Sequence, residues 1–154
     1  MRLSAPSVCV AALCLCTAGA AGATNVTLSG TVINSCVLTI TTPGTLAPST
    51  DGTRLGSEET GGVAAVMSVV ATGAAPTINF AAPTLSGPSG SEDATTAVRY
   101  TSTGGANQAY TSSSSSRTMT GLLDTFTVNG RVTHATGFPA GQYTVTSVAT
   151  CQQQ

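Results

Sequence analysis

Apolar and polar residues alternate with a period of two near the start of the chain, where Val26, Leu28, Gly30 and Val32 form one row between Asn25, Thr27, Ser29 and Thr31. Successive side chains of an extended chain point to opposite faces, so this spacing predicts a strand with one apolar face. No turn signal separates it from Cys36. Two arrangements fit. The segment is an ordinary first strand paired within its own domain, or it is a strand added to the sheet of another molecule, where backbone hydrogen bonds supply affinity and alternate side chains fill pockets.

Further along, short apolar runs separated by turn residues predict more strands over residues 36–41, 63–72, 76–80 and 95–101. The 63–72 run is apolar on both faces, as in a central strand. Residues 46–62 and 85–93, rich in Gly, Pro, Ser and acids, read as loops, and residues 104–116, with the serine run 112–116, read as an exposed turn. Leu122, Leu123, Phe126 and Val128 lead into Asn129-Gly130 and then residues 131–134. Asn-Gly in that setting fits either a tight hairpin or a bulge inside one strand. A last alternating strand spans residues 142–151. Many short strands at such spacing predict an all-β fold of the Ig-like β-sandwich type, with a closed barrel as the alternative.

The first residues change the picture of where the chain works. Met1-Arg2, an apolar run over residues 8–16 and the small residues Ala18-Gly19-Ala20 and Ala21-Gly22-Ala23 have the order of a secretory signal peptide, so residues 1–23 are expected to be removed. The processed chain is then exported and not membrane-embedded. Of the five cysteines, removal leaves Cys36 and Cys151. In an oxidising compartment these are expected to form one disulfide, two free thiols being the alternative.

Charge and composition narrow the chemistry. The chain has no lysine and no tryptophan, and its five arginines are scattered among six acids, so neither a basic patch nor a stacking set for nucleic acid is present. His134 and Asp124 could be drawn into a triad with many serines, but no Gly-x-Ser-x-Gly elbow or paired acids single out a nucleophile. No enzyme activity, metal or cofactor is expected. The adjacent acids Glu58-Glu59 and Glu92-Asp93 lack the spaced oxygen ligands of a calcium loop and read as solvated loop residues.

Two stretches carry a resemblance. Residues Gly30-Thr31-Val32-Ile33-Asn34-Ser35-Cys36 resemble the junction of chaperone–usher pilins, in which an alternating N-terminal extension runs through Gly-x-Val into a cysteine that opens the first strand. Phe126-Thr127-Val128-Asn129-Gly130-Arg131 followed by Gly141-Gln142-Tyr143-Thr144-Val145-Thr146 is similar to the tail of spore-coat-protein-U-like fimbrial subunits, where Gly-x-Tyr opens the final strand. Many members place their second cysteine in an early strand and end on an aromatic residue. This chain has Cys151 and three glutamines there.

The resemblance implies a sandwich that lacks its last strand and is completed by donor-strand exchange. Residues 24–35 would be the donor extension, with Val26, Leu28, Gly30 and Val32 as the partner-binding row, and residues 36–154 the pilin-like domain. Its partners would be other copies of itself or related pilins, with a periplasmic chaperone and an outer-membrane usher during assembly. The expected role is a structural subunit of a surface fimbria supporting adhesion or biofilm formation. A self-complete secreted or surface Ig-like binding domain is the competing expectation.

Overall fold

The computed structural model describes residues 25–153, and the expected leader at residues 1–23 lies outside them. The chain divides into two units, residues 1–30 and residues 31–154. Residues 25–34 belong to no strand. Among the described residues twelve strands follow: β1 (Ser35–Thr42), β2 (Ala47–Pro48), β3 (Arg54–Gly56), β4 (Ala65–Thr72), β5 (Thr77–Phe80), β6 (Thr84–Ser86), β7 (Thr95–Ser102), β8 (Asn107–Thr111), β9 (Ser115–Thr118), β10 (Leu123–Thr133), β11 (Thr144–Thr146) and β12 (Ala149–Gln152). The described chain is all-β, in several antiparallel sheets.

The largest sheet is built on β10. Its residues Leu123 to Val128 pair with β4 and Arg131 to Thr133 with β3, while Phe126 to Thr133 pair with β7. A strand has two edges, so β4 and β3 share one and β7 takes the other; β1 then extends the sheet beyond β4, and β8 beyond β7. Asn129-Gly130 falls where the partner changes from β4 to β3. The strand continues through it, and neither residue has the positive φ that a two-residue hairpin requires. Ser57 bridges the change of partner, its amide donating to the Gly130 carbonyl at 3.0 Å and its hydroxyl accepting from the Gly130 amide at 3.1 Å.

A second sheet has the order β9-β5-β12, and β6 pairs with β11 in a separate ribbon. The core lies between the first two sheets. Phe80 of β5 stacks on Tyr100 of β7 with ring centroids 4.4 Å apart, and both meet Phe126 of β10 at 5.7 Å. Ile78, Tyr100 and Phe126 are fully buried, and each such side chain contributes about 1.5–3 kcal/mol. Alternation explains the choice: in β7 Thr96, Val98 and Tyr100 face inward while Thr95, Ala97 and Arg99 face outward.

Four expectations need correction. Residues 85–93 are not wholly loop, since they begin inside β6. Residues 104–116 are not one exposed turn, because β8 pairs with β7 and β9 with β5, and the Tyr100 hydroxyl lies 3.2 Å from that of Ser115. Residues 46–62 contain β2 and β3. The last strand is two: β11 pairs with β6 and β12 with β5, and the break falls where Ser147 donates its hydroxyl to the Ala81 carbonyl at 2.7 Å. Turn-forming Ser and Gly masked these pairings, since cross-strand partners far along the chain override local propensity.

Candidate functional site

Two strand edges meet at the disulfide. β1 pairs only with β4 and β12 only with β5 among the described residues, so each has an edge without a ladder partner. Cys36 of β1 and Cys151 of β12 are disulfide-bonded, with Cα atoms 6.2 Å apart, which joins the large sheet to the second one. The side-chain amide of Gln153 donates to the Ser35 carbonyl at 2.6 Å beside this bridge.

Away from the bridge lies a cavity of about 510 Å³, walled mostly by residues of β4, β10, β11 and neighbouring loops, with Ile40 from β1 and Ala149 from β12. Thus Cys36 to Ile40 and Cys151 to Ser147 lead from the bridge to the cavity in opposite chain directions. Leu46, Val63, Met67, Phe80, Val128 and Val145 give it apolar walls, and Gly130 forms part of its floor. A Cβ at Gly130 would sit 3.5 Å from Leu46 and 3.9 Å from Val145, so glycine there keeps the floor low.

The inner face of β1 shows how open this place is. Cys36, Leu38 and Ile40 alternate onto the same face. Cys36 and Leu38 pack on the core, but Ile40 is 60% exposed. A large aliphatic side chain on the core face of a strand is ordinarily covered.

Of the four residues of the alternating row, Val26 and Leu28 are exposed in the first unit, Gly30 has open space where a Cβ would lie, and Val32 is exposed in the second. Ile33 beside it is exposed too. The start of β1 is held firmly: the Thr72 hydroxyl donates to the Ile33 carbonyl at 2.7 Å and accepts from the Ser35 amide at 3.1 Å. Gly73, with φ of 84°, adjoins Asn34 so closely that a Cβ would strike its side-chain oxygen. The sequence pattern marked the row but not Ile40, Leu46 or Val145, whose meaning depends on which strands stand opposite them.

Other candidate groups have different surroundings. Asp124 accepts hydrogen bonds from Ser102, Thr103, Gly104 and Thr125 and holds the β7–β8 turn onto β10. Burial pushes its carboxyl pKa up, but these hydrogen bonds outweigh that and the value lies below the ordinary one. His134 follows the far end of β10, ten residues on, which is about 33 Å of strand. The two do not form a pair.

Glu58 and Glu59 lie in the turn after β3, Glu58 exposed and Glu59 half-buried, and both have partners. Glu59 bonds Arg54 at 2.5 Å, and Glu58 pairs with Arg99 and accepts from the Tyr110 hydroxyl at 2.5 Å. Arg131 lies over the Tyr110 ring at 4.0 Å. Burial, then the bond to Glu58, raises the Tyr110 phenol to about 12. Glu92 accepts from the Gly90 amide at 2.7 Å within its own turn. Compared with known family models, curated proteins and solved structures, the chain matches none.

Proposed function

We propose that the protein is a non-enzymatic structural subunit of a bacterial surface fibre, assembled after export by strand exchange. The observation that carries this reading is the uncovered inner face of β1: Ile40 is exposed beside a largely apolar cavity, to which β1 and β12, each with an edge that has no ladder partner among the described residues, contribute Ile40 and Ala149. An extended segment lying there would cover Ile40 and give β1 or β12 a ladder partner. The chain carries such a segment, alternating and outside every strand, at residues 25–34.

In this reading the sandwich is Ig-like and incomplete, and Val26, Leu28, Gly30 and Val32 of one copy fill the cavity of the next. Burial of each large apolar side chain contributes about 1.5–3 kcal/mol, beside a new row of backbone bonds. A periplasmic chaperone and an outer-membrane usher would hold the cavity closed until exchange. The fibre would serve adhesion or biofilm formation at the cell surface.

Deletion of residues 24–33 tests it. Denaturant-resistant ladders on an unboiled gel should vanish, and a supplied peptide of that sequence should bind the shortened protein. Fibres that persist without the segment would refute the reading, and a soluble monomer that folds alone in high yield would favour the self-complete binding domain.

A further inference from the structure

The outer face of the large sheet bears an apolar row in register. Val37 of β1 stands opposite Val70 of β4, and Val70 opposite Leu123 of β10. The three are 56%, 47% and 71% exposed. Next to them lie only uncharged rungs, Ser35 with Thr72 on one side and Thr39, Ser68 and Thr125 on the other. The sheet's ionic groups on this face begin with Arg99, which stands opposite Asn129, about 20 Å along β10 from Leu123. The largest contiguous apolar patch on a protein surface is often a functional one.

We infer that the Val37–Val70–Leu123 row is a contact surface for a second copy of this chain, the copy that accepts its N-terminal segment. This rests on the fibre reading above. Two observations choose that occupant. The rung beside the row, Ser35 with Thr72, is the root of the segment, where the Thr72 hydroxyl bonds both the Ile33 carbonyl and the Ser35 amide. Four residues separate Ile33 from Val37, at most about 13 Å of extended chain, so a copy that holds the segment up to Val32 is brought against the row. The surface is also free of charge, so it can be covered without stranding an ion away from water.

The strand insertion and the row then act together. The segment joins two copies at one place in the chain, and contact at its root fixes the angle between them. Ile33, at the root and exposed, is apolar as well.

The test uses full-length exported protein with a photoreactive benzoylphenylalanine at position 123, and separately the variant Val70→Thr with Leu123→Thr. Both sites are exposed and threonine suits a strand, so the fold is retained. A labelled peptide of residues 24–33 reports on the cavity independently. Irradiated fibres should give crosslinks between copies that disappear when Leu28→Asp blocks insertion, and the double variant should release subunits about tenfold faster. Peptide uptake and fibre formation with no such crosslink and unchanged release would overturn this surface while leaving the fibre reading standing. Absence of both uptake and fibres would overturn the two together. Crosslinks to a different protein would overturn the second copy as occupant.

Discussion

Ile40 and Met67 face each other across β1 and β4 on the same side of the sheet, yet Met67 is 2% exposed and Ile40 60%. One step toward the edge takes the surface from covered to bare. The difference marks where cover ends along β1, which is tied to β12 by the disulfide at Cys36, four residues before Ile40. Ile40→Asp should therefore leave the thermal stability of the isolated subunit within about 0.5 kcal/mol, as for an exposed site. The same change places a charge in the cavity, and fibre yield on unboiled gels should drop sharply. A large loss of stability with no loss of fibres would contradict the assignment.

Replacing both cysteines, Cys36→Ser with Cys151→Ser, removes a link between residues 115 apart in sequence. A chain-entropy estimate puts the loss at about 4–5 kcal/mol. Urea denaturation of the wild-type and double variant measures it directly. Because the bridge ties β1, which carries Ile40, to β12, which carries Ala149, uptake of the 24–33 peptide should also weaken.

Acid should loosen the β7–β8 turn. The folded-state pKa of Asp124 is depressed, so its stabilisation is full above the unfolded value of about 3.9 and is lost as pH falls through the lower folded value. Asp124→Asn should cost about 1–3 kcal/mol at neutral pH, because four donors lose a carboxylate. The variant should also show a flatter stability profile below pH 4 in chemical denaturation.

Alkali should act at the other end of the sheet. With the Tyr110 phenol raised to about 12, its contribution is full below the unfolded value of about 10 and is lost as pH rises through 12. Tyr110→Phe keeps the ring under Arg131 but removes the bond to Glu58, at about 0.5–1.5 kcal/mol. Ultraviolet titration of the phenols should lose a step near pH 12 in this variant.

Gly73→Ala tests the root of the N-terminal segment. The position has positive φ and abuts Asn34, so a side chain there is strained and displaces the start of β1. A cost of about 1–3 kcal/mol is expected by thermal unfolding.

Alternation made the all-β class and most strands legible, because a period of two reports burial on one face directly. Residues 36–41, 63–72 and 95–101 fall within or closely around β1, β4 and β7. The serine-rich 112–116 stretch hid the start of β9, whose partner β5 lies far back in the chain. Asn129-Gly130 allowed two readings until the φ angles placed it inside β10. The cavity could not be read from spacing, since Ile40, Val63 and Val145 come together only through non-local pairing. The same holds for the Val37–Val70–Leu123 row, which exists only in register.

The bond between Cys36 and Cys151 has a mechanical meaning. A pull applied between the leading segment and Gln153 enters the body just before Cys36 and leaves just after Cys151, so tension crosses a covalent shortcut. The loop it closes carries no load. Pulled at those two points, such a body would not unspool while the bridge holds.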